Sequence, residues 1–339
     1  MKRILLLTVL AGLLATSCDD EFNPNGDWEE TMIVYGLLDQ DDDTTWVRVQ
    51  KCYLSDGDMS AIPQIADSSN YPEGELEVKL TEWNARKVGT TDKLEKTTET
   101  GNVFNFTYKE LESKNDGEFY SDRQPVYFCR TKGQLRTDKI YELRITNTRT
   151  GKTAYSETSL LGDISSTGMM PISINNNSST FNFSNGRCSL NWASGERARI
   201  YQPIVRFFYQ NTGSDSIMHV DVKQNIVYNN NGQLSLSYVI TLNSYASEIA
   251  KLVTDHTTPK IIGDSITLFM YMGNDDLRDY LSATKEPSTL VQERPHYTNI
   301  KGGLGIFASR RTKISQNMMV PANQNSPYRK AIKNLNIGF

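Results

Sequence analysis

The sequence predicts a mainly β protein: an N-terminal immunoglobulin-like or fibronectin-like β-sandwich, followed by a second β-rich domain with two short helices. Short runs of alternating apolar and polar residues follow one another with polar turns between them, as in a sandwich. The chain is rich in Thr, Tyr, Val, Ile, Asn and Gly and poor in long helical periods, as many strands joined by turns require. A third observation is local. Leu135, Tyr141, Leu143 and Ile145 have the spacing of a tyrosine corner, whose hydroxyl bonds back to the chain at the edge of a sheet.

The chain begins with a basic pair, Lys2-Arg3, then an apolar run from Ile4 to Ala15 and the small residues Thr16-Ser17. This is the pattern of a secretory signal peptide, and the run is too short to span a bilayer, which takes about 20 apolar residues. Leu14-Ala15-Thr16-Ser17-Cys18 resembles a bacterial lipobox, with Ala15 where a larger aliphatic is usual. The resemblance implies a signal peptide over 1–17 and a Cys18 that is acylated and becomes the N-terminus. One acyl chain anchors marginally, at ~0.8 kcal/mol per buried CH₂, whereas two or three hold for good. Asp19-Asp20-Glu21 resembles the export signal that sends Bacteroidota lipoproteins to the outer face of the outer membrane. Residues 18–30 read as a lipidated cysteine and tether, with turn chemistry in Phe22-Asn23-Pro24-Asn25-Gly26-Asp27.

The sandwich is expected over 31–160. Met32 to Leu37 reads as a buried strand ended by Asp39-Gln40-Asp41-Asp42-Asp43, and Thr45 to Gln50 alternates cleanly. Glu75 to Trp83 places Leu76, Val78 and Leu80 on one face; Val103 to Phe106 and Val126 to Phe128 follow. Asn147 to Gly151 turns the chain into a last strand from Lys152, closing the domain near Leu160. The second domain, 161–339, opens with a polar Asn/Ser-rich stretch and then strands at Arg187–Trp192 and Ile200–Tyr209. Ile217–Tyr228 and Gln233–Leu242 flank Asn229-Asn230-Asn231-Gly232 and read as a long hairpin. Tyr245, Ile249, Leu252 and Val253 form a helical stripe behind Ser244. Ser265–Met272 is strand-like, and Asn274 or Asp275 caps a second helix with Leu277, Tyr280 and Leu281 facing inward.

Loss of residues 1–17 removes Lys2 and Arg3, so 34 basic residues stand against 40 acidic ones, a net charge of −6. No basic patch favours nucleic acid. After Cys18 only Cys52, Cys129 and Cys188 remain, an odd number with no metal-ligand spacing, read as buried apolar residues with room for one disulfide. No cofactor and no metal is expected.

Motifs that suggest chemistry are weak. Gly263-Asp264-Ser265 and Gly273-Asn274-Asp275 resemble blocks of the SGNH esterases. They fall late in the chain, only about ten residues apart, without a downstream Asp-x-x-His around His296. Thr150-Gly151-Lys152-Thr153 ends like a P-loop but has Thr146 where the first glycine belongs. Asp39, Asp41 and Asp43 are spaced like calcium ligands, yet Thr44 and Gln50 replace the required Gly and Glu, so a solvated acidic loop is expected. His219, His256 and His296 are scattered. Trp28, Trp46, Trp83 and Trp192 can line a glycan platform, although Trp46, Trp83 and Trp192 sit on alternating strands where core packing is the simpler expectation. Asp43-Thr44-Thr45, Asp215-Ser216-Ile217 and Asp264-Ser265-Ile266 resemble short O-glycosylation acceptors.

One motif is more specific. Asn299-Ile300-Lys301-Gly302-Gly303-Leu304-Gly305-Ile306-Phe307 resembles the Asn-Ile-x-Gly-Gly-x-Gly-x-Phe signature of an uncharacterised family of Bacteroidota outer-membrane lipoproteins, and Val34-Tyr35-Gly36-Leu37-Leu38 resembles its opening strand. Its motif positions here are Asn299, Gly302, Gly303, Gly305 and Phe307. Read from the residues alone, the glycines suit a tight approach to a strand with Ile306 and Phe307 buried. Members often lie beside SusC-like TonB-dependent receptors. The resemblance therefore implies a non-catalytic cell-surface lipoprotein, anchored in the outer membrane and facing outward, that serves a nutrient transporter. The alternatives are a fimbrillin-like adhesin or envelope component and, remotely, an esterase. No Arg lies between Cys18 and Trp46 to serve as a pilin processing site.

Overall fold

The computed structural model describes residues 30–52, 69–112, 123–164, 170–172, 180–285 and 297–339. The chain is mainly β, as predicted, with helices few and short. Its first half forms β1 (Thr31–Leu38), β2 (Thr44–Cys52), β3 (Leu76–Lys87), β4 (Leu94–Asn105), β5 (Thr107–Glu112), β6 (Arg123–Arg130), β7 (Lys139–Asn147) and β8 (Thr153–Ser159). Then come β9 (Met170–Ile172), β10 (Arg187–Ala193), β11 (Ile200–Asn211), β12 (Ile217–Lys223), β13 (Val227–Tyr228) and β14 (Ser235–Thr241). The helix α1 (Leu242–Leu252) leads to β15 (Lys260–Gly273), α2 (Asp275–Thr284), β16 (Gly303–Met319) and α3 (Pro327–Lys333).

A nine-stranded sheet runs through both halves in the order β12-β11-β15-β16-β1-β2-β6-β5, with β13 beside β11. A four-stranded sheet, β4-β3-β7-β8, and a three-stranded one, β14-β10-β9, complete the architecture. Two hydrophobic cores result. The first joins Val34, Val47 and Val49 of the large sheet to Leu76, Val78, Leu80, Leu143 and Ile145 of the four-stranded sheet. The second joins Tyr201, Val205, Leu268 and Met270 to Leu190, Trp192 and Ile240 of the three-stranded sheet, and to Tyr245 of α1 and Tyr328 of α3. The cores part at one peptide bond: Leu160 belongs to the first and Leu161 to the second.

The expected boundary at 160/161 therefore divides the cores, but the expected assignment of all of 161–339 to a second domain does not hold. Ile300 and Phe307 lie in the first core, and β1 pairs in parallel with β16 from Met32–Gly303 to Leu38–Ser309. From Arg310 onward the same strand pairs with β15 instead. Side chains alternate along a strand. Counting by twos along β16, Phe307 faces the first core, and Arg311, the partner of Met272, faces the same side. Both cores thus lie on one side of the large sheet, and Leu304, Ile306 and Arg310 face the other.

The tyrosine-corner geometry is present: the Tyr141 hydroxyl accepts the Arg136 backbone N–H at 2.7 Å and donates to the buried Glu82 carboxylate at 2.9 Å. The expected hairpin around Asn229–Gly232 is not formed. β12 and β13 pair with β11, whereas β14 crosses to pair with β10. The Asn229 side chain fixes the loop between them, accepting from Gln233 N–H and donating to Gln233 C=O and Ser194 Oγ. α1 begins one turn early, capped by Thr241 rather than Ser244, and Leu252 is exposed while Tyr245 and Ile249 are buried. α2 is capped by Asn274 as expected, but none of its residues is buried. A third helix, α3, adds to the two expected, and Ser326-Pro327 starts it with a cap followed by a first-turn proline. Cys188 is buried, with its thiol pushed up to about 12 by desolvation; Cys52 and Cys129 are half-buried, and all three are unpaired.

Candidate functional site

The 299–307 motif is a strand-docking device. The Asn299 side chain donates to Phe307 C=O at 2.7 Å and accepts the Phe307 N–H at 3.0 Å, taking the place of a neighbouring strand on the side of β16 away from β1. Gly302 and Gly305 have φ of +74° and +103°, and Gly303 lies so close to β1 that a Cβ would stand 2.7 Å from the Met32 carbonyl oxygen. A Cβ on Gly305 would overlap the Val34 carbonyl, and one on Gly302 that of Thr153. Lys301 exchanges backbone hydrogen bonds with Tyr155 of β8 at 2.8 and 2.9 Å, and Phe307 is fully buried. These residues let two backbones approach; they form no cavity of their own.

A roomier concavity lies on the opposite face of the large sheet. Its floor is Tyr35, Gly36 and Leu37 of β1, Trp46 of β2 and Ile306 of β16; its wall is Leu277, Tyr280 and Leu281 of α2. The groove holds about 470 Å³. Trp46, expected in the core, is 41% exposed, and Tyr35 is 39% exposed. The reason lies in the pleat: Thr45, Val47 and Val49 of β2 point inward, so Trp46 and Arg48 must point out. Trp46 leans on Phe128 of β6, with ring centroids 5.4 Å apart, and the Lys109 ammonium of β5 stands 5.8 Å from its ring. Leu277, Tyr280 and Leu281, which the helical stripe directs inward, face this groove and cover no core. The other tryptophans differ: Trp192 is buried, Trp83 is half-buried beneath Lys96, and Trp28 lies outside the described residues.

Asp42 and Arg310 close one end, within a wider set of ion pairs around the loop. Arg310 donates to Asp42 at 2.8 Å and lies 3.7 Å from Asp39, while Arg311 donates to Asp41 at 2.8 Å and Lys132 pairs with Asp43. The loop 39–43 is thus cross-linked to β16 and not simply solvated, because two arginines emerge from that strand beside it. No cluster of potential metal ligands occurs among the described residues. Asp39 is almost wholly buried, and this desolvation raises its carboxyl to about 6 against the Asp41 N–H bond that lowers it. A raised carboxyl favours the native state below its unfolded value and loses that contribution as pH rises through its folded value. Asp39→Asn keeps the oxygen that accepts the Asp41 N–H at 3.0 Å. It is expected to be more stable than the parent at pH 7.5, by up to about 3 kcal/mol, and no more stable at pH 4. Urea midpoints at the two pH values check this.

The other candidate residues are dispersed. Ser265 lies inside β15, paired with Met319 of β16, and Asp264 is held by Arg329 at 2.7 Å; a strand continues where an esterase block would turn into a helix. His256 bonds the Val253 backbone carbonyl oxygen at 2.7 Å, His219 lies tilted beside Phe208, and His296 lies outside the described residues. Cys18, Asp19, Asp20 and Glu21 also lie outside them. No described helix is long and apolar enough to cross a membrane. No protein-family model matches the chain, and no curated protein matches it in sequence.

Proposed function

We propose that the chain is a non-catalytic binding protein of the bacterial cell surface, lipid-anchored in the outer membrane through Cys18 and acting beside a TonB-dependent nutrient transporter. The observation that carries the binding role is the groove under α2. A helix with no buried residue leans over three strands and leaves Tyr35 and Trp46 exposed, with Tyr280 half-buried, beside an ion pair. Large aromatic groups in a concavity with a few polar groups are the usual composition of a ligand site. The anchoring role rests on Lys2-Arg3, the apolar run and the lipobox-like residues, and the transporter on the 299–307 resemblance.

Two measurements test the parts separately. Cys18→Ala is expected to move the protein from the detergent phase to the aqueous phase and to abolish incorporation of labelled palmitate; a variant that stays membrane-bound and labelled contradicts the anchor. Affinity purification from native outer membranes is expected to recover a TonB-dependent receptor with the wild-type chain. Recovery of the chain alone, or in filaments, overturns the accessory role.

A further inference from the structure

We propose that the groove beneath α2 binds a neutral saccharide; this deepens the binding role above and rests on it. The size fits, since about 470 Å³ falls within the ~300–1,000 Å³ of small-molecule sites. The lining is amphipathic in the way a sugar ring is. Trp46, Tyr35 and Tyr280 offer aromatic surface to the C–H face of a ring, and at one end Asp42 and Arg310 set an acceptor and a donor side by side. An adjacent carboxylate and guanidinium together match the vicinal hydroxyls of a pyranose.

Other ligands fit less well. An extended peptide binds by adding a strand to a sheet edge. Here the floor consists of interior strands: β1 is paired on both sides, and the outer side of β16 at Phe307 is filled by Asn299. An anionic ligand requires a net positive rim. Arg310 instead lies 2.8 Å from Asp42 and 3.7 Å from Asp39, and its charge is matched.

The test uses the full mature chain in detergent, titrated with maltoheptaose, cellohexaose, xylohexaose and mannohexaose while tryptophan fluorescence and calorimetry are followed. Tri-galacturonate serves as the acidic control. At least one neutral oligosaccharide is expected to bind and to perturb the fluorescence. Trp46→Ala is expected to weaken it at least about tenfold with an unchanged circular dichroism spectrum, because the side chain lies outside both cores. Tyr271→Ala, on the same face but not lining the groove, is expected to leave binding unchanged. Failure of all four neutral probes, tighter binding of the acidic control, or full affinity in Trp46→Ala overturns the saccharide. These outcomes are separable from those of the accessory role. Receptor recovery that persists in wild type without saccharide binding leaves that role standing, and saccharide binding without receptor recovery removes the role and keeps the saccharide.

Discussion

Gly305→Ala is expected to destabilise the chain by about 3–5 kcal/mol, among the larger effects a single substitution produces. Two costs add. The residue holds φ at +103°, in a region that L side chains adopt only with strain of about 1–2 kcal/mol. Its Cβ would also meet the Val34 carbonyl across the parallel β1–β16 contact, and that carbonyl cannot retreat because β2 holds β1 from the other side. Gly151→Ala isolates the first cost. Gly151 also has positive φ, at +73°, but nothing lies within 4 Å of its prospective Cβ. Chemical denaturation of the two variants should therefore give about 1 kcal/mol for Gly151→Ala and several times that for Gly305→Ala. Equal losses would show that close approach at Gly305 contributes nothing.

Arg197→Ala is the second large effect, expected at about 3–5 kcal/mol because it strips buried carbonyls of a charged partner. Arg197 follows Trp192 and Glu196 in the second half of the chain, yet its guanidinium donates to Leu160 C=O at 2.8 Å, Thr137 C=O at 3.0 Å and Asp92 C=O at 3.2 Å. The side chain is 6% exposed. Beside it Arg199 grips the Asp92 carboxylate at 2.7 and 3.0 Å, and this pairing is the main reason that carboxyl is held below its ordinary range. The two arginines clamp the β3–β4 turn of the first unit to the start of β11. Their loss should uncouple the cores as well as destabilise them. Calorimetry is expected to show one transition for the parent and two for Arg197→Ala. A single transition shifted by less than about 1 kcal/mol would show that the clamp does not couple the units.

Much of the fold is legible from local chemistry, and the exceptions share a cause. β1, β2 and β3 alternate so clearly that their inward faces, Val34, Val47, Val49, Leu76, Val78 and Leu80, can be read directly. Trp46 is legible too: Val47 and Val49 point inward, so a tryptophan one position before Val47 has to face out, and its size suggests the core only when considered apart from its neighbours. The Asn229–Gly232 turn has hairpin chemistry, but chemistry at a turn does not choose the partner of the strands it joins. Asn229 instead satisfies its side chain within the loop and on Ser194, and β14 goes to another sheet. The parallel contact of β1 with β16 has no local signal beyond the glycines, which announce a close backbone without saying to which strand. The groove is least legible. It depends on where α2 lands relative to β1 and β2, and the helical stripe Leu277, Tyr280, Leu281 reads the same whether it faces a core or a cleft.

The long strand β16 also bears on the order of synthesis. A ribosome delivers β16 long after β1; Asp42 and Arg310, neighbours in the finished molecule, are 268 positions apart. At ~5–20 residues per second, the edge of β1 waits on the order of tens of seconds for its partner. Throughout that interval the first core lacks Ile300 and Phe307, and an open strand edge invites association with other chains. A nascent chain therefore cannot finish its first unit before β16 is made. Its maturation is gated by residues 299–309, and truncations that spare every residue before 299 should still yield a first unit that fails to close.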